Sequence, residues 1–235
     1  TEEVGSGASA ALHGEVAELV SLDSAIAAPG QNTSEHSATV CMQDMSGPFD
    51  YHLTHKLVAL AKEQGIAHRR DIFRYYRSDS AAAVEAGNDI RTALVAFGLD
   101  ASHGWERVHI DSLTALARMA GRTGAEVALV TFATHMRPGQ TQDAANRAMA
   151  SAVLYMPGFD HSALVAAYER YNRIIREVAR AEGLLLIDSE HSIPGDPAHF
   201  VDSVHFSDAG NKAQAKRVLA ALASEPRIQQ RLAAP

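Results

Sequence analysis

The chain has 235 residues, of which 46% are hydrophobic, and a formal net charge of −7. This length allows a substantial core, in one large α/β domain or two small ones. The acidic balance argues against nucleic-acid partners, the short apolar runs argue against a membrane span, and the single cysteine, Cys41, favours a reducing, cytoplasmic compartment.

Apolar β-prone segments alternate with segments of helical period along the chain, and no signal peptide is expected. This alternation predicts an α/β fold in which a mainly parallel or mixed sheet is layered with helices, as in a three-layer sandwich. The chain can form this fold as one domain or as two half-domains. The predicted strands are Glu18–Leu22, Ala38–Gln43, His68–Tyr75, Thr92–Phe97, Glu126–Phe132 and Leu184–Asp188. The predicted helices are Tyr51–Gln64, Ser78–Ala86, Ile110–Arg122, Gln142–Ala150, Asp160–Glu182 and Asp208–Leu222.

The helix at Asp160–Glu182 has the clearest pattern, because its apolar residues recur at steps of three and four. Asp160 is a natural N-cap, and Gly183 stands where a left-handed C-terminal residue is favoured. We interpret this helix and the strand that follows it as structural.

Candidate chemistry begins at the adjacent carboxylates Glu2 and Glu3, which precede a Val-Gly turn. Neighbouring glutamates point in different directions, so one can bind a metal while the other faces the substrate. Asp23 ends an apolar strand and is expected to project from a sheet edge, and His103 lies in a loop before a helix. Each signal alone is also typical of a solvated surface residue.

Five segments in the first 115 or so residues carry a more specific signal than any single residue. They are TEEVGSGAS (1–9), SLDSAIAAPGQNTSEHSATV (21–40), GPFDYHLTHKL (47–57), YYRSDSAAAVEAGNDIR (75–91) and DASHGWERVHIDSL (100–113). In this order they resemble dinuclear zinc aminopeptidases of the tetrahedral and glutamyl-aminopeptidase kind. The nearest branch is the peptidase-like one associated with osmoprotectant dipeptide systems.

This resemblance implies Glu2 as general base, zinc as cofactor, and Glu3, Asp23 and His103 as zinc ligands. It also implies that Ser78 and Asp79 belong to a loop on the substrate side. In that family a metal-binding His and a bridging Asp precede the Glu pair, whereas here only Thr1 does, and the insertion domain that mediates oligomerisation is missing. We therefore expect at most one zinc and weak or no activity by the chain alone.

The second candidate site is Asp202-x-x-His205, on a loop that enters the helix at Asp208, with Ser207 as its N-cap. In a serine esterase an acidic residue fixes the tautomer and orientation of the catalytic His, and this spacing lets Asp202 turn back onto His205. The alternative is that Asp202 caps a turn and His205 packs beside it.

Three segments flank or include this motif in the second half of the chain, from about Leu113 onward: GAEVALVTFATHMRP (124–138), YERYNRIIREVARAEGLLLIDSE (168–190) and HFVDSVHFSDAGNKAQAKRVLAAL (199–222). Together they resemble the C-terminal half of SGNH (GDSL-type) hydrolases. The resemblance implies Asp202 and His205 as triad acid and base, and gives Asn172 no catalytic role. The N-terminal half of that family, which carries the nucleophile, has no counterpart here. Two segments are similar to its parts: Ser24 follows a strand as the nucleophile does, and Gly87-Asn88-Asp89 approximates the oxyanion block. Leu22, however, stands where the nucleophile turn needs glycine.

We interpret the chain as a junction of two hydrolase fragments, 1–115 and 116–235, with the break inside a predicted helix. The first hypothesis is a remnant zinc-aminopeptidase site, and the alternatives are an SGNH-type esterase using Ser24, Asp202 and His205, or a catalytically inert fusion. The expected partners are a small peptide or ester substrate and a second copy of the chain in a homo-oligomer that covers exposed sheet edges.

Overall fold

A computed structural model describes residues 5–12, 15–102 and 106–233, in which the chain forms two compact units. Unit 1 comprises Thr1–Ala125 and unit 2 comprises Glu126–Pro235. The predicted junction near residue 115 falls inside a helix that is continuous over Ile110–Arg122. That the two parts are fragments of different hydrolases stays a prediction. Within the described ranges, no helix combines the length and apolarity needed to cross a membrane.

The secondary structure of unit 1 follows the predicted alternation. Its helices are α1 (Ser6–Ala11), α2 (Tyr51–Glu63), α3 (Asp79–Glu85) and α4 (Ile110–Arg122). Its strands are β1 (Glu18–Ile26), β2 (Ala38–Asp44), β3 (Gly47–Pro48), β4 (His68–Ile72), β5 (Arg91–Asp100) and β6 (Arg107–Val108).

The sheet of unit 1 is mixed and is built around β2. Strand β2 pairs antiparallel with β5 on one side and parallel with β4, and β5 pairs parallel with β1. The short strands β3 and β6 pair antiparallel with β2 and β5. The register places Asp23 beside Ala96 and Ser24 beside Phe97. Strand β1 lies at the end of this strand order within the described residues.

Helices cover the sheet of unit 1 and bury its apolar side chains. On one face, α2 and α4 pack against alternate residues of β2 and β5, so that Val40 and Val95 of the strands share a core with Met119 of α4. Cys41 and Leu94 point to the opposite face, where aromatic side chains pack against them. Helix α3 contacts β1 and β5, and α1 packs against α3. This arrangement confirms the predicted α/β class with a mixed sheet layered with helices.

The helices of unit 1 begin where a side chain can satisfy a free backbone N–H. Asp50 caps α2 by accepting the N–H of Leu53 at 2.7 Å, and the imidazole of His109 caps α4 by accepting the N–H of Asp111 at 3.2 Å. Side-chain caps of this kind stabilise a helix by about 1 kcal/mol.

Unit 2 contains two short parallel strands with helices around them. Its helices are α5 (Gln142–Ala148), α6 (Ala152–Tyr155), α7 (His161–Glu182), α8 (Asp208–Ser224) and α9 (Pro226–Leu232), and its strands are β7 (Ala128–Val130) and β8 (Leu185–Ile187). The caps predicted for α7 and α8 are confirmed: Asp160 accepts the N–H of Ala163 at 2.8 Å, Ser207 accepts that of Gly210 at 3.2 Å, and Gly183 is left-handed with φ +64°.

Asn172 fixes α7 to the end of β7. Its side chain is fully buried and bonds both backbone groups of Phe132, accepting the N–H at 2.6 Å and donating to the carbonyl at 2.8 Å. Two bonds to one residue satisfy the backbone where the strand ends. This contact agrees with the structural role that the sequence pattern predicted for α7.

Some predicted bounds are wrong. Strand β4 ends at Ile72 instead of Tyr75, β7 is limited to Ala128–Val130, and β1 continues to Ile26 instead of ending at Leu22. Pattern alone misses α1, α6, α9 and the two-residue strands, because short segments carry too few residues to show a period.

Candidate functional site

Asp23 lies within β1, and its carboxylate is held by hydrogen bonds from two residues, Ser24 and Tyr76. The predicted placement at the strand's end is wrong, because the ladder with β5 continues to Ile26. The half-buried carboxylate accepts a hydrogen bond from the Tyr76 hydroxyl and another from the N–H of Ser24 at 2.6 Å. Asp23 is thus an oriented carboxylate on the side of the sheet that carries Tyr76.

The Tyr76 phenol is a neutral donor toward this carboxylate. Burial raises the pKa of Tyr76, and the hydrogen bond to Asp23 and the charges of Asp23 and Asp79 raise it further. A phenol that keeps its proton at neutral pH can donate permanently to an ionised acid. Tyr76 therefore orients Asp23 in the way that an outer-shell partner orients a metal ligand.

The loop that presents Tyr76 is anchored by a buried carboxylate, Asp44. Asp44 is 0% exposed and accepts both the N–H of Ser78 at 2.8 Å and its hydroxyl at 2.9 Å. The carbonyl of Tyr76 accepts the N–H of Met45 at 2.8 Å. The segment predicted to lie on the substrate side, Ser78 and Asp79, is therefore fixed to the turn between β2 and β3.

The described N-terminal segment begins at Gly5, against α3. Gly5 is buried and left-handed with φ +64°, and a Cβ added there would lie 2.6 Å from the Cβ of Ala82 and 3.3 Å from a carboxylate oxygen of Asp79. The hydroxyl of Ser9 on α1 donates to the carbonyl of Ala82 at 3.1 Å. Gly5 has no room for a side chain because α3 passes so close.

The predicted base Glu2 and the predicted ligands Glu3 and His103 lie outside the described residues. Of the predicted metal-site residues, the structure therefore places Asp23 alone. Two carboxylates and one imidazole form a donor set that suits zinc, and the oriented carboxylate of Asp23 fits such a site. Their roles stay predictions.

The Asp202-x-x-His205 loop of unit 2 forms the predicted contact. The Nδ1 atom of His205 lies 2.7 Å from one carboxylate oxygen of Asp202, whose other oxygen accepts the N–H groups of Val204 and His205. Partial burial works against ionisation of Asp202, but these donors outweigh it and lower its pKa. The loop thus holds an ionised acid against an exposed imidazole, while its catalytic role stays a prediction.

Of the two candidates for the missing esterase elements, Ser24 lies within a strand of unit 1 and Gly87-Asn88-Asp89 follows helix α3. Ser24 is an internal residue of β1, paired with Phe97, whereas a nucleophile turn requires the strand to end. The side chain of Asn88 donates to the carbonyl of Ala83 at 2.9 Å, so it terminates α3.

A third group of potential ligands escaped the sequence analysis. His36, His109 and Asp111 each offer a donor atom that lies within 4.8 Å of the other two. His36 precedes β2 while the other two open α4, so long-range folding brings them together. The His-x-Asp spacing at the start of α4 was a local signal, but nothing nearby in sequence pointed to His36.

A family model described as M42 glutamyl aminopeptidase matches residues 1–119. YhfE of Bacillus subtilis (strain 168), a protein named as an aminopeptidase, is 40% identical over 118 residues, which are 50% of this chain and 34% of YhfE. The chain thus spans about a third of that relative's length.

Two solved structures are also similar to parts of the chain or to most of it. The Pyrococcus horikoshii TET1 peptidase, which can assemble into a tetrahedron or a large octahedral shell, is 16% identical with a TM-score of 0.41, over 47% of this chain and 34% of that one. A GDSL-like lipase from Bacteroides thetaiotaomicron is 10% identical with a TM-score of 0.37, over 94% of this chain and 96% of that one.

Proposed function

The chain belongs to the M42 glutamyl aminopeptidase family, and on that premise we propose that unit 1 carries a zinc-aminopeptidase site of low intrinsic activity. In this proposal Glu2 is the general base, and Glu3, Asp23 and His103 are the zinc ligands. Zinc in such a site polarises the peptide carbonyl and makes water a better nucleophile. The substrate is a small peptide, cleaved at its N-terminal residue.

The observation that carries the proposal is the oriented carboxylate of Asp23. A carboxylate that only faced solvent would need no phenol to orient it, yet half-buried Tyr76 donates to Asp23 and is itself fixed through the loop bonded to Asp44. Ligands with such support bind metal more tightly, since loss of an outer-shell partner costs about 10–100-fold in affinity. Gly5, two residues after Glu3 in sequence, lies beside Asp79, the first residue of α3, which directly follows the loop that carries Tyr76.

Three protein donors hold one zinc and leave a position for solvent, whereas a two-metal peptidase also needs a bridging ligand. We therefore propose weak peptide hydrolysis, which rises if another chain supplies further ligands. A homo-oligomer is a further expectation, because β1 pairs on one side only among the described residues and leaves its other edge open.

The test is bound zinc, counted by native mass spectrometry in a His36→Ala background that disables the third ligand group. We expect about one zinc per chain, lost in Glu3→Ala/His103→Ala, and a lower affinity in Tyr76→Phe. Release of the N-terminal residue from short peptides should follow the zinc. Equal zinc in the background protein and in the double variant would refute the proposal.

A second candidate is an ester hydrolase that uses Asp202 and His205, favoured by the 2.7 Å contact between them. The measurement is hydrolysis of a short acyl ester, with His205→Ala and Ser24→Ala as variants. Loss in both variants supports the triad inferred from sequence. Loss in His205→Ala alone supports the acid–base pair with a different nucleophile, and activity unchanged in both removes this candidate.

A further inference from the structure

His36, His109 and Asp111 form a compact group of donors on the surface of unit 1. The Nδ1 atom of His36 lies 3.0 Å from Oδ2 of Asp111, and the Nδ1 atom of His109 lies 3.3 Å from the same oxygen. The two imidazole centroids are 4.1 Å apart. The side chains are 46–63% exposed, so solvent ions reach them.

The two nitrogen–oxygen separations are close to the edge of a tetrahedral metal site. Zinc binds imidazole nitrogen and carboxylate oxygen at about 2.0–2.2 Å, which places adjacent ligand atoms of a tetrahedron about 3.3 Å apart. The two measured distances between nitrogen and oxygen are close to that value. These two pairs of atoms are thus near tetrahedral spacing, and all three donors lie within 4.8 Å of one another.

The two nitrogens of His109 differ in what they already bind. Its Nδ1 accepts the backbone N–H of Asp111 at 3.2 Å, so an ion held by Nδ1 would replace that cap of α4. An ion held by Nε2 would leave the cap in place. The three side chains each offer one donor atom within 4.8 Å of the other two, which is the geometric basis for a shared cation.

Buried contacts fix the segment that presents His36. The hydroxyl of Ser112 on α4 accepts the N–H of Gly98 at 2.5 Å and donates to the carbonyl of Ser37 at 3.3 Å. Gly98 lies so close to this segment that an added Cβ would be 2.1 Å from the carbonyl oxygen of Ser34. Beside His36, Glu35 forms a two-bond ion pair with Arg107 at 3.0 Å. The group is thus held by three packed segments.

We propose that His36, His109 and Asp111 bind one divalent transition-metal ion of the zinc class, at a site separate from Glu3, Asp23 and His103. Two imidazoles and a carboxylate are a ligand set suited to zinc, cobalt and nickel, and solvent completes the shell. The ion joins the segment before β2 to the first turn of α4. The ion therefore stabilises the fold of unit 1. This site does not depend on the proposed peptidase site, and each can be tested without the other.

The experiment is titration of the metal-free chain with Zn²⁺ by calorimetry, and with Co²⁺ by visible absorption. To isolate the new site, the background is Glu3→Ala/His103→Ala. We expect about one ion per chain, visible bands of a four- or five-coordinate cobalt ion, and a rise in melting temperature with zinc. Adding His36→Ala should weaken binding by at least about 100-fold, because a ligand counts for more than an outer-shell partner.

Two further variants keep the result interpretable. His109→Asn removes an imidazole but keeps a residue that can cap α4, and it should weaken the metal in the same way as His36→Ala. His52→Ala removes an exposed imidazole of α2 and should leave binding unchanged. The proposal is overturned if the background protein binds no ion, or if His36→Ala binds zinc as His52→Ala does. Zinc lost solely through Glu3→Ala/His103→Ala would overturn it while supporting the peptidase site.

Discussion

Asp44 is the buried carboxylate that holds the loop Tyr76–Ser78, and replacing it tests how that loop is held. Its carboxylate receives the N–H and hydroxyl of Ser78, which is 3% exposed, and those of Ser46, which is exposed. In Asp44→Ala, water can replace the carboxylate at Ser46 but has little access to Ser78. The cost therefore comes from Ser78.

The magnitude follows from the two bonds to Ser78. A hydrogen bond to a charged group contributes about 1.5–3 kcal/mol, and the Ser78 hydroxyl can turn to Ser80, 2.8 Å away, while its N–H is left without an acceptor. We expect Asp44→Ala to lower the free energy of unfolding by about 3 kcal/mol. Asp44→Asn keeps an acceptor for Ser78 and directs its amide toward the exposed Ser46, so it should cost about 1 kcal/mol.

The assay is urea unfolding followed by fluorescence of Trp105, the only tryptophan of the sequence, which belongs to unit 1. Asp89→Ala, at an exposed position, is the matched control and should change the unfolding free energy by less than about 0.5 kcal/mol. If Asp44→Ala behaves like Asp89→Ala, the loop is not held by this carboxylate. If Asp44→Asn costs as much as Asp44→Ala, charge rather than hydrogen bonding dominates.

Three further predictions concern other parts of the molecule. Gly98→Ala should lower the free energy of unfolding in urea by about 2–3 kcal/mol, because the new methyl group meets the backbone of Ser34. Gly7→Ala is the control, since its methyl group meets no atom within 4 Å. Equal stability of the two variants would contradict the prediction. Burial raises the pKa of the Cys41 thiol to about 12, so a thiol reagent at pH 8 should label it upon unfolding alone, and rapid labelling of the native chain would contradict its burial. The Arg176 guanidinium lowers the pKa of Asp188, so this pair should stabilise the fold fully above about pH 4, the unfolded value, and lose its effect as pH falls through the lower folded pKa. Unfolding from pH 2 to 7 should show a shallower acid slope in Asp188→Asn, and identical slopes would refute the assignment.

Much of the secondary structure was predictable because its signals are local. Asp160, Ser207 and Gly183 mark the ends of α7 and α8 through contacts within a few residues. The contact between Asp202 and His205 is equally local, since three residues of a tight loop bring carboxylate and imidazole together. The prediction for β4 was too long because aromatic residues continue past Ile72 in the sequence. In the fold this stretch leaves the sheet, and Tyr76 bonds to Asp23 instead.

By itself, the amino-acid sequence determined the α/β class, most helices and strands, and the likeness of the first half to glutamyl aminopeptidases. Tertiary structure decided which strands pair, that Asp23 receives its hydrogen bond from Tyr76, and that His36 meets Asp111 across 75 positions. Hydrophobic periodicity and helix caps arise from neighbouring residues, so a short stretch of sequence is enough to predict them. Contacts between distant residues depend on how strands are ordered and how loops are anchored, which becomes fixed when the whole core packs.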